Sequence, residues 1–281
     1  MSERTVKEQQ EQPTCHLFVG TCGYSYTEWV DAGFYPPGTK SGKMLPLYAR
    51  HFSIIELNYT WYQMPKAEAI DRQRQLVPPG YLFIAKLTRN LTHEIDPQEW
   101  PDYADRYRDG VSPLVQAGQL TAVLIQLPPS FNRTEHNRKY LAALLDKLHG
   151  LPLAIEFRNR SWACDRVFAE LEHRRVTLVS VDEPDLPGLF PALDVVTNPD
   201  LFYVRFHGRN AKGWRSGKMQ QQFDYNYSDD ELREWIEEKI EHMSNKARKG
   251  VLFFNNHVRA QAPENALRMA ELLKERGLAV A

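Results

Sequence analysis

Eight short apolar runs rich in β-branched and aromatic residues recur along the chain, at 17–20, 53–57, 81–87, 121–127, 153–157, 176–181, 201–206 and 251–254. They are nearly continuous in apolar character, as strands buried on both faces are. Helical patterns lie between them. The segment 134–149 carries Tyr140, Leu141, Leu144, Leu145 and Leu148 at helical spacing, and 65–76 and 165–175 read similarly. Ser228 and Glu231 form a capping-box signature, and Pro263 opens a last helix that ends near Gly277. Segment 43–52 predicts a short crossover, and 185–197 predicts a weak helix. From Phe18 to Leu252 the runs repeat every 33 residues or so, about the length of one βα unit. Eight such units predict an α/β fold, a single (β/α)8 TIM-like barrel. An open doubly wound sheet is the alternative, but no Gly-x-Gly-x-x-Gly follows the first run.

Composition narrows the class further. The chain has 281 residues, 42% of them hydrophobic, and a net charge of −1. That excludes a disordered chain and argues against a generally basic nucleic-acid binder. Three cysteines are too few for a disulfide scaffold, and Cys15, Cys22 and Cys164 lack a zinc-type spacing. No apolar run approaches the roughly 20 residues of a membrane span, and the polar start lacks a signal-peptide core. The expectation is a cytoplasmic protein without membrane contact. It has a polar, disordered extension at 1–14 and one barrel domain over 15–281.

A barrel places its site at the C-terminal ends of the strands. There the runs end, in order, in Cys22, Glu56 with Asn58, Lys86, Gln126, Glu156 with Arg158, Asp182 with Glu183, Arg205 with His207, and Asn255 with Asn256. Period-two alternation aims Glu56 and Asn58, Glu156 and Arg158, and Arg205 and His207 the same way. Tyr62 and His93 follow close behind their strands. One such group is ordinary rim polarity, and eight together predict a binding mouth.

These segments resemble the DUF72, or YecE-like, family. The resemblance is carried by Gly20-Thr21-Cys22-Gly23-Tyr24-Ser25-Tyr26, Glu56-Leu57-Asn58-Tyr59-Thr60-Trp61-Tyr62, Lys86 with Thr92-His93, and Gln126-Leu127-Pro128-Pro129. It continues through Glu156-Phe157-Arg158 with Ser161-Trp162, Arg205-Phe206-His207-Gly208, and Asn255-Asn256-His257, and spans about 17–277. It implies a TIM-barrel-like fold and a shared polar mouth, but no particular reaction. Tyr24 stands where the family usually has Trp, and Asn159-Arg160 where it has His-Pro.

Several chemistries suit these residues. The segment from Arg205 to Lys218 holds five Lys or Arg, three Gly and no acid, a composition suited to anions. Glu56 and Glu156 are candidates for acid and base, and equally Glu56 is a candidate partner for Lys86 and Glu156 for Arg205. Glu156, Asp182 and His207 come from consecutive strands and resemble the metal cage of xylose-isomerase-like barrels. Asn255 and Asn256 replace the further carboxylate those cages use, and neutral amides weaken a divalent site. Lys86 as a Schiff-base lysine needs a lowered pKa, which a neighbouring Glu56 would oppose. Cys22 with His93 could pair as nucleophile and base, or Cys22 could simply be buried.

The leading expectation is an enzyme, of hydrolase, lyase or isomerase class, that binds a small phosphate- or carboxylate-bearing substrate without a cofactor. Glu56, Glu156 and His207 are its catalytic candidates. Asn58, Tyr62, Lys86, His93, Gln126, Arg158, Asp182, Arg205, Asn255 and Asn256 are its substrate-binding candidates. The alternatives are a metal-dependent hydrolase or isomerase and a non-catalytic nucleotide or single-stranded nucleic-acid binding module.

Overall fold

The computed structural model describes residues 14–281. The expectation for 1–14 therefore lies, except for Thr14, outside the described residues. All eight expected strands form: β1 (His16–Thr21), β2 (Ile54–Leu57), β3 (Leu82–Lys86), β4 (Leu120–Gln126), β5 (Leu153–Glu156), β6 (Thr177–Asp182), β7 (Phe202–Phe206) and β8 (Lys249–Phe254). A two-residue strand that the pattern did not announce, β9 (Ala279–Val280), follows the last helix. The nine make one curled, all-parallel sheet in the order β2-β3-β4-β5-β6-β7-β8-β1-β9. Helices alternate with the strands, and none among the described residues is long and apolar enough to cross a membrane.

The expected barrel is only partly realised in the hydrogen bonding. No ladder joins β1 to β2. Their seam holds one bridge, Cys22 to Glu56, supported by the Gly23 N–H donating to the Glu56 carbonyl at 3.0 Å. At the opposite end of the seam β9 pairs with β1, and the Ser53 hydroxyl donates to the Ala281 carbonyl at 3.2 Å. Gly20 allows the close approach, because a Cβ there would sit 2.9 Å from the Ile54 carbonyl oxygen.

The long helices form where the sequence places them, with two exceptions. Thr134 caps Glu135–Lys147 by accepting the Asn137 N–H. Ser228 and Glu231 complete their capping box ahead of Asp229–Trp235. The longest helix, Trp100–Gln116, was missing from the sequence pattern, since Gly110 and Pro113 interrupt its interior. Gly110 is required by packing: a Cβ there would meet the Pro65 carbonyl oxygen at 2.3 Å. The weak helix expected over 185–197 is absent, and that segment is irregular.

Strand alternation sets the two faces of the sheet. On β7, Tyr203 and Arg205, with His207 just beyond, face the residues of the mouth. Phe206 faces the helices, stacked on Phe254 at 4.5 Å and edge-on to Trp235. In a parallel sheet, residues in register share a face. Val181, Arg205 and Phe253 are in one row, and Asp182, Phe206 and Phe254 in the next.

Candidate functional site

At the C-terminal ends of the strands lies a mouth of about 580 Å³, lined in part by Tyr26, Glu28, Asn58, Trp61, Tyr62, Lys86, His93, Gln126, Arg158, Arg205, Phe223, Asn255 and His257. Its floor is an ionic knot around Arg205. That guanidinium is 1% exposed. It grips Glu56 with two bonds, Nε to Oε2 at 2.9 Å and Nη2 to Oε1 at 2.7 Å. Its Nη1 donates to Glu156 Oε2 at 2.5 Å, and Nη2 also reaches the Cys22 sulfur at 3.3 Å. Tyr203 donates its hydroxyl to Glu56. Arg158 donates Nε to Glu156 Oε1 at 2.5 Å and Nη1 to Glu183. Full use of the guanidinium fork by carboxylates is the arrangement that makes such burial tolerable.

The field of this knot sets its neighbours' protonation. Burial alone would raise the Glu156 carboxyl, but Arg205 and Arg158 outweigh it and hold it well below the usual range. Burial, reinforced by Arg158, lowers His207 to about 3 against the pull of Glu156, so the imidazole is neutral. Its ring contacts Glu156 at 3.2 Å and the Asn255 amide at 3.1 Å. Burial pushes the Cys22 thiol up, so it sits beneath Arg205 as a thiol rather than a nucleophilic thiolate. Burial also raises Glu183 to about 7, against the pull of Arg158.

Lys86 is different. Its ammonium lies 5.4 Å from the centre of the Trp61 ring and forms no hydrogen bond or salt bridge among the described residues. The pairing with Glu56 considered from sequence does not occur, because Arg205 and Tyr203 occupy that carboxylate. Burial and the positive charge of Arg205 lower Lys86 to about 8, with Glu56 and Glu156 opposing and Arg158 assisting. Nearby, Asn58 Oδ1 is buried with no partner.

The other expected residues divide. Gln126 and Asn255 line the mouth. Tyr62, 57% exposed, and His93 stand at the rim around the Trp61 ring. Asp182 and Asn256 need correction. Asp182 takes two bonds from Arg209 Nε, both at 3.0 Å, one from Nη2 at 2.9 Å and another from Trp235 Nε1, all on the helix side of the sheet. Asn256 donates to the Tyr225 carbonyl at 2.8 Å and to Asn265 at 2.7 Å. Both lie one residue off the inward register. Glu183 is the residue of that strand end that reaches the mouth network.

The same slip separates the metal-cage candidates. Glu156 and His207 touch, while Asp182 points to the opposite face. Among the described residues no group of three or more His, Cys, Asp or Glu is placed to hold a metal ion. The basic segment after β7 is likewise no cradle. Arg205 and Arg209 are paired with carboxylates, and Lys212, Arg215 and Lys218 are exposed. The segment folds as Ala211–Arg215 and Met219–Gln222 and supplies Phe223 to the mouth wall. Gly208 turns it at φ 87°, where a Cβ would lie 2.6 Å from Tyr225 Cβ.

Two further mouth residues escaped the sequence reading. His257 Nδ1 lies 3.1 Å from Glu28 Oε1, and its ring stacks on Tyr26 at 4.8 Å. The Trp29 indole N–H donates to the His257 carbonyl at 2.8 Å, fixing the backbone. Alternation from Phe253 through Asn255 to His257 was the available signal. Nothing in the sequence indicated that the first loop would bring Glu28 beside it.

Comparison with known proteins agrees with this architecture. A match to the family described as "Protein of unknown function DUF72" spans residues 18–280. The chain belongs to the DUF72 family. The chain is similar to the UPF0759 protein YunF of Bacillus subtilis, 30% identical over 271 residues, covering 92% of this chain and 94% of that one. The UPF0759 protein YecE of Escherichia coli is 29% identical over 136 residues, 48% of this chain and 44% of that one. A solved DUF72 structure from Thermotoga maritima superposes with a TM-score of 0.83 at 32% identity, covering 92% of this chain and 99% of that one. For this DUF72 chain these relatives supply the fold and not a reaction.

Proposed function

We propose that this DUF72 protein is an enzyme that holds a small carboxylate- or phosphate-bearing substrate in a barrel-like mouth and works by acid–base chemistry. The observation that carries the reading is the contrast within the mouth. Every floor carboxylate already has an arginine, while among the described residues the Lys86 ammonium has no hydrogen-bonding partner and Arg158, bonded through Nε and Nη1, keeps Nη2 without one. One unpaired ammonium and a spare guanidinium N–H in the same partly apolar cavity suit an anionic group attached to a small organic body.

Glu56 and Glu156, the proton carriers expected from sequence, take the role of scaffold in this reading. Arginine-paired carboxylates are poor bases near neutrality. His207, neutral and buried, positions Glu156. Proton transfer passes to His257, whose ring is oriented by Glu28 as a base is by its carboxylate partner. Two consecutive non-glycine residues at positive φ, Arg259 at 54° and Ala260 at 62°, follow His257. Backbone strain of that kind collects at working sites.

The test is titration with inorganic phosphate at pH 7, read by thermal melting and by calorimetry. Saturable stabilisation that disappears in Lys86→Met supports the reading. Equal stabilisation of both proteins, or none of either, overturns it.

A further inference from the structure

We propose that Lys86 is a nucleophile as well as an anion anchor, and that the substrate class is a small oxo acid whose carbonyl carbon forms an imine with Lys86 Nζ. The inference rests on the mouth reading above and adds a covalent step to it. Placement argues for it first. The amine stands at the C-terminal end of β3, within the mouth, with no hydrogen-bonding group of the protein occupying it. Its lone pair is therefore accessible once a proton leaves. The charged groups whose fields reach it are Arg205 and Arg158 on one side of the balance and Glu56 and Glu156 on the other. Two arginines balance the two carboxylates, so the net field is small and burial is the main influence on the amine. Burial and neighbouring positive charge are the recognised ways to make a lysine nucleophilic near neutrality. The amine's pKa, lowered to about 8, agrees. A lysine gripped by Glu56, which the sequence allowed, would have been a poor nucleophile, and the Arg205 knot removes that obstacle.

The step balances without a co-reactant. The neutral amine attacks the carbonyl carbon, forming a C–N bond and a carbinolamine. The C–O bond then breaks, and the oxygen leaves as water with one amine hydrogen and the proton the ammonium had given up, so the remaining hydrogen stays on a cationic imine nitrogen. No oxidant or reductant is needed. Arg158 Nη2 keeps hold of the substrate's carboxylate or phosphate while Lys86 loses its own charge to react. The flat face of Trp61 beside Nζ walls the nascent imine from bulk water. His257, which lines the same mouth, is then available to remove a proton α to the imine, where the new cationic nitrogen acidifies it.

The probe is pyruvate with sodium cyanoborohydride, which reduces any imine to a stable secondary amine, followed by peptide mapping. At pH 7 Lys86 should label at least about tenfold faster than exposed lysines, since an amine with a pKa near 8 has far more neutral fraction than one near 10.4. Labelling should rise from pH 7 to pH 8.5 and level off, and inorganic phosphate should suppress it. If phosphate binds but Lys86 labels no faster than the surface lysines, the imine proposal is overturned while the anion-binding mouth stands. If phosphate neither binds nor protects, both readings fall. Lys86→Arg, which keeps the charge, should retain phosphate binding and lose the adduct; retention of an adduct at the same rate elsewhere in the mouth would overturn the assignment to Lys86.

Discussion

Arg205 and Lys86 are two cations in the same mouth, and their surroundings are opposite. Arg205 is closed in by two carboxylates and a sulfur, with every neighbour answering its charge. Lys86 lies beside an indole, with no oxygen of the described residues to bond. The first is how a fold makes buried charge tolerable. The second is how a site keeps a charge unspoken for. The difference teaches that the number of ionic residues in a mouth says little about ligands; what matters is which of them the protein has already neutralised.

Substitution at Arg205 tests the contrast most severely. Arg205→Met strands Glu56 and Glu156 without their main partner. A loss of about 3–5 kcal/mol is expected in urea unfolding, and a loss below about 1 kcal/mol would show that the knot holds little together. Acid is the next lever. His207 is lowered to about 3 when folded, so the unfolded chain takes up a proton first as pH falls. Its contribution is full above about 6.5 and declines from there toward 3. Glu156 contributes above its ordinary range and is lost as pH drops below it. Glu183, raised to about 7, acts in the opposite sense: its contribution is present below its unfolded value and lost as pH rises toward 7. Unfolding midpoints should therefore change little between pH 5 and 7 and fall steeply below pH 4.5. His207→Gln should flatten the acid limb, and an unchanged limb would remove His207 from the account.

Smaller effects separate neighbours. Asp182→Asn breaks the half-buried pair with Arg209 and is expected to lower stability by about 1–3 kcal/mol. Glu183→Gln replaces a group that is already largely protonated at pH 6 and should cost under about 1 kcal/mol there. Equal costs would contradict the opposite facing of these adjacent side chains. Lys86→Met should change stability least, by about 1 kcal/mol or less and upward, because an unpartnered, half-buried ammonium is unfavourable to the fold. A clear loss of stability would show that Lys86 has a partner after all.

Much of the fold was legible because it rests on local pattern. Apolar runs and their spacing located eight strands, and the Ser228 capping box placed a helix start. The helix Trp100–Gln116 was hidden by Gly110 and Pro113, and the justification for Gly110 is its contact with Pro65, distant in sequence. The open seam between β1 and β2 was also invisible, since it depends on β9 occupying one end of it. At the site, the strand ends showed which segments converge, and alternation resolved Glu56, Glu156 and Arg205. It failed by one residue at Asp182 and Asn256, where polar side chains stand in tandem and only register with β7 decides which one faces inward. Pairing was only half legible: Glu156 holds Arg205 as the strand ends suggested, but Arg205 also takes Glu56, for which Lys86 was the expected partner.

The seam has a mechanical meaning. Every other neighbouring pair of strands is laced by a ladder, but β1 and β2 meet through one bridge whose β2 member is Glu56, the same residue that Arg205 clasps from β7. The clasp works like a drawstring, drawing β2 toward the β7–β8–β1 edge by side-chain force where backbone bonds are few. Breathing of the mouth is thus expected to be hinged at that edge. The amide hydrogen of Gly23, which bonds the Glu56 carbonyl across the seam, should exchange with solvent earlier than those of β4 or β7, and a ligand that tightens the knot should slow it first.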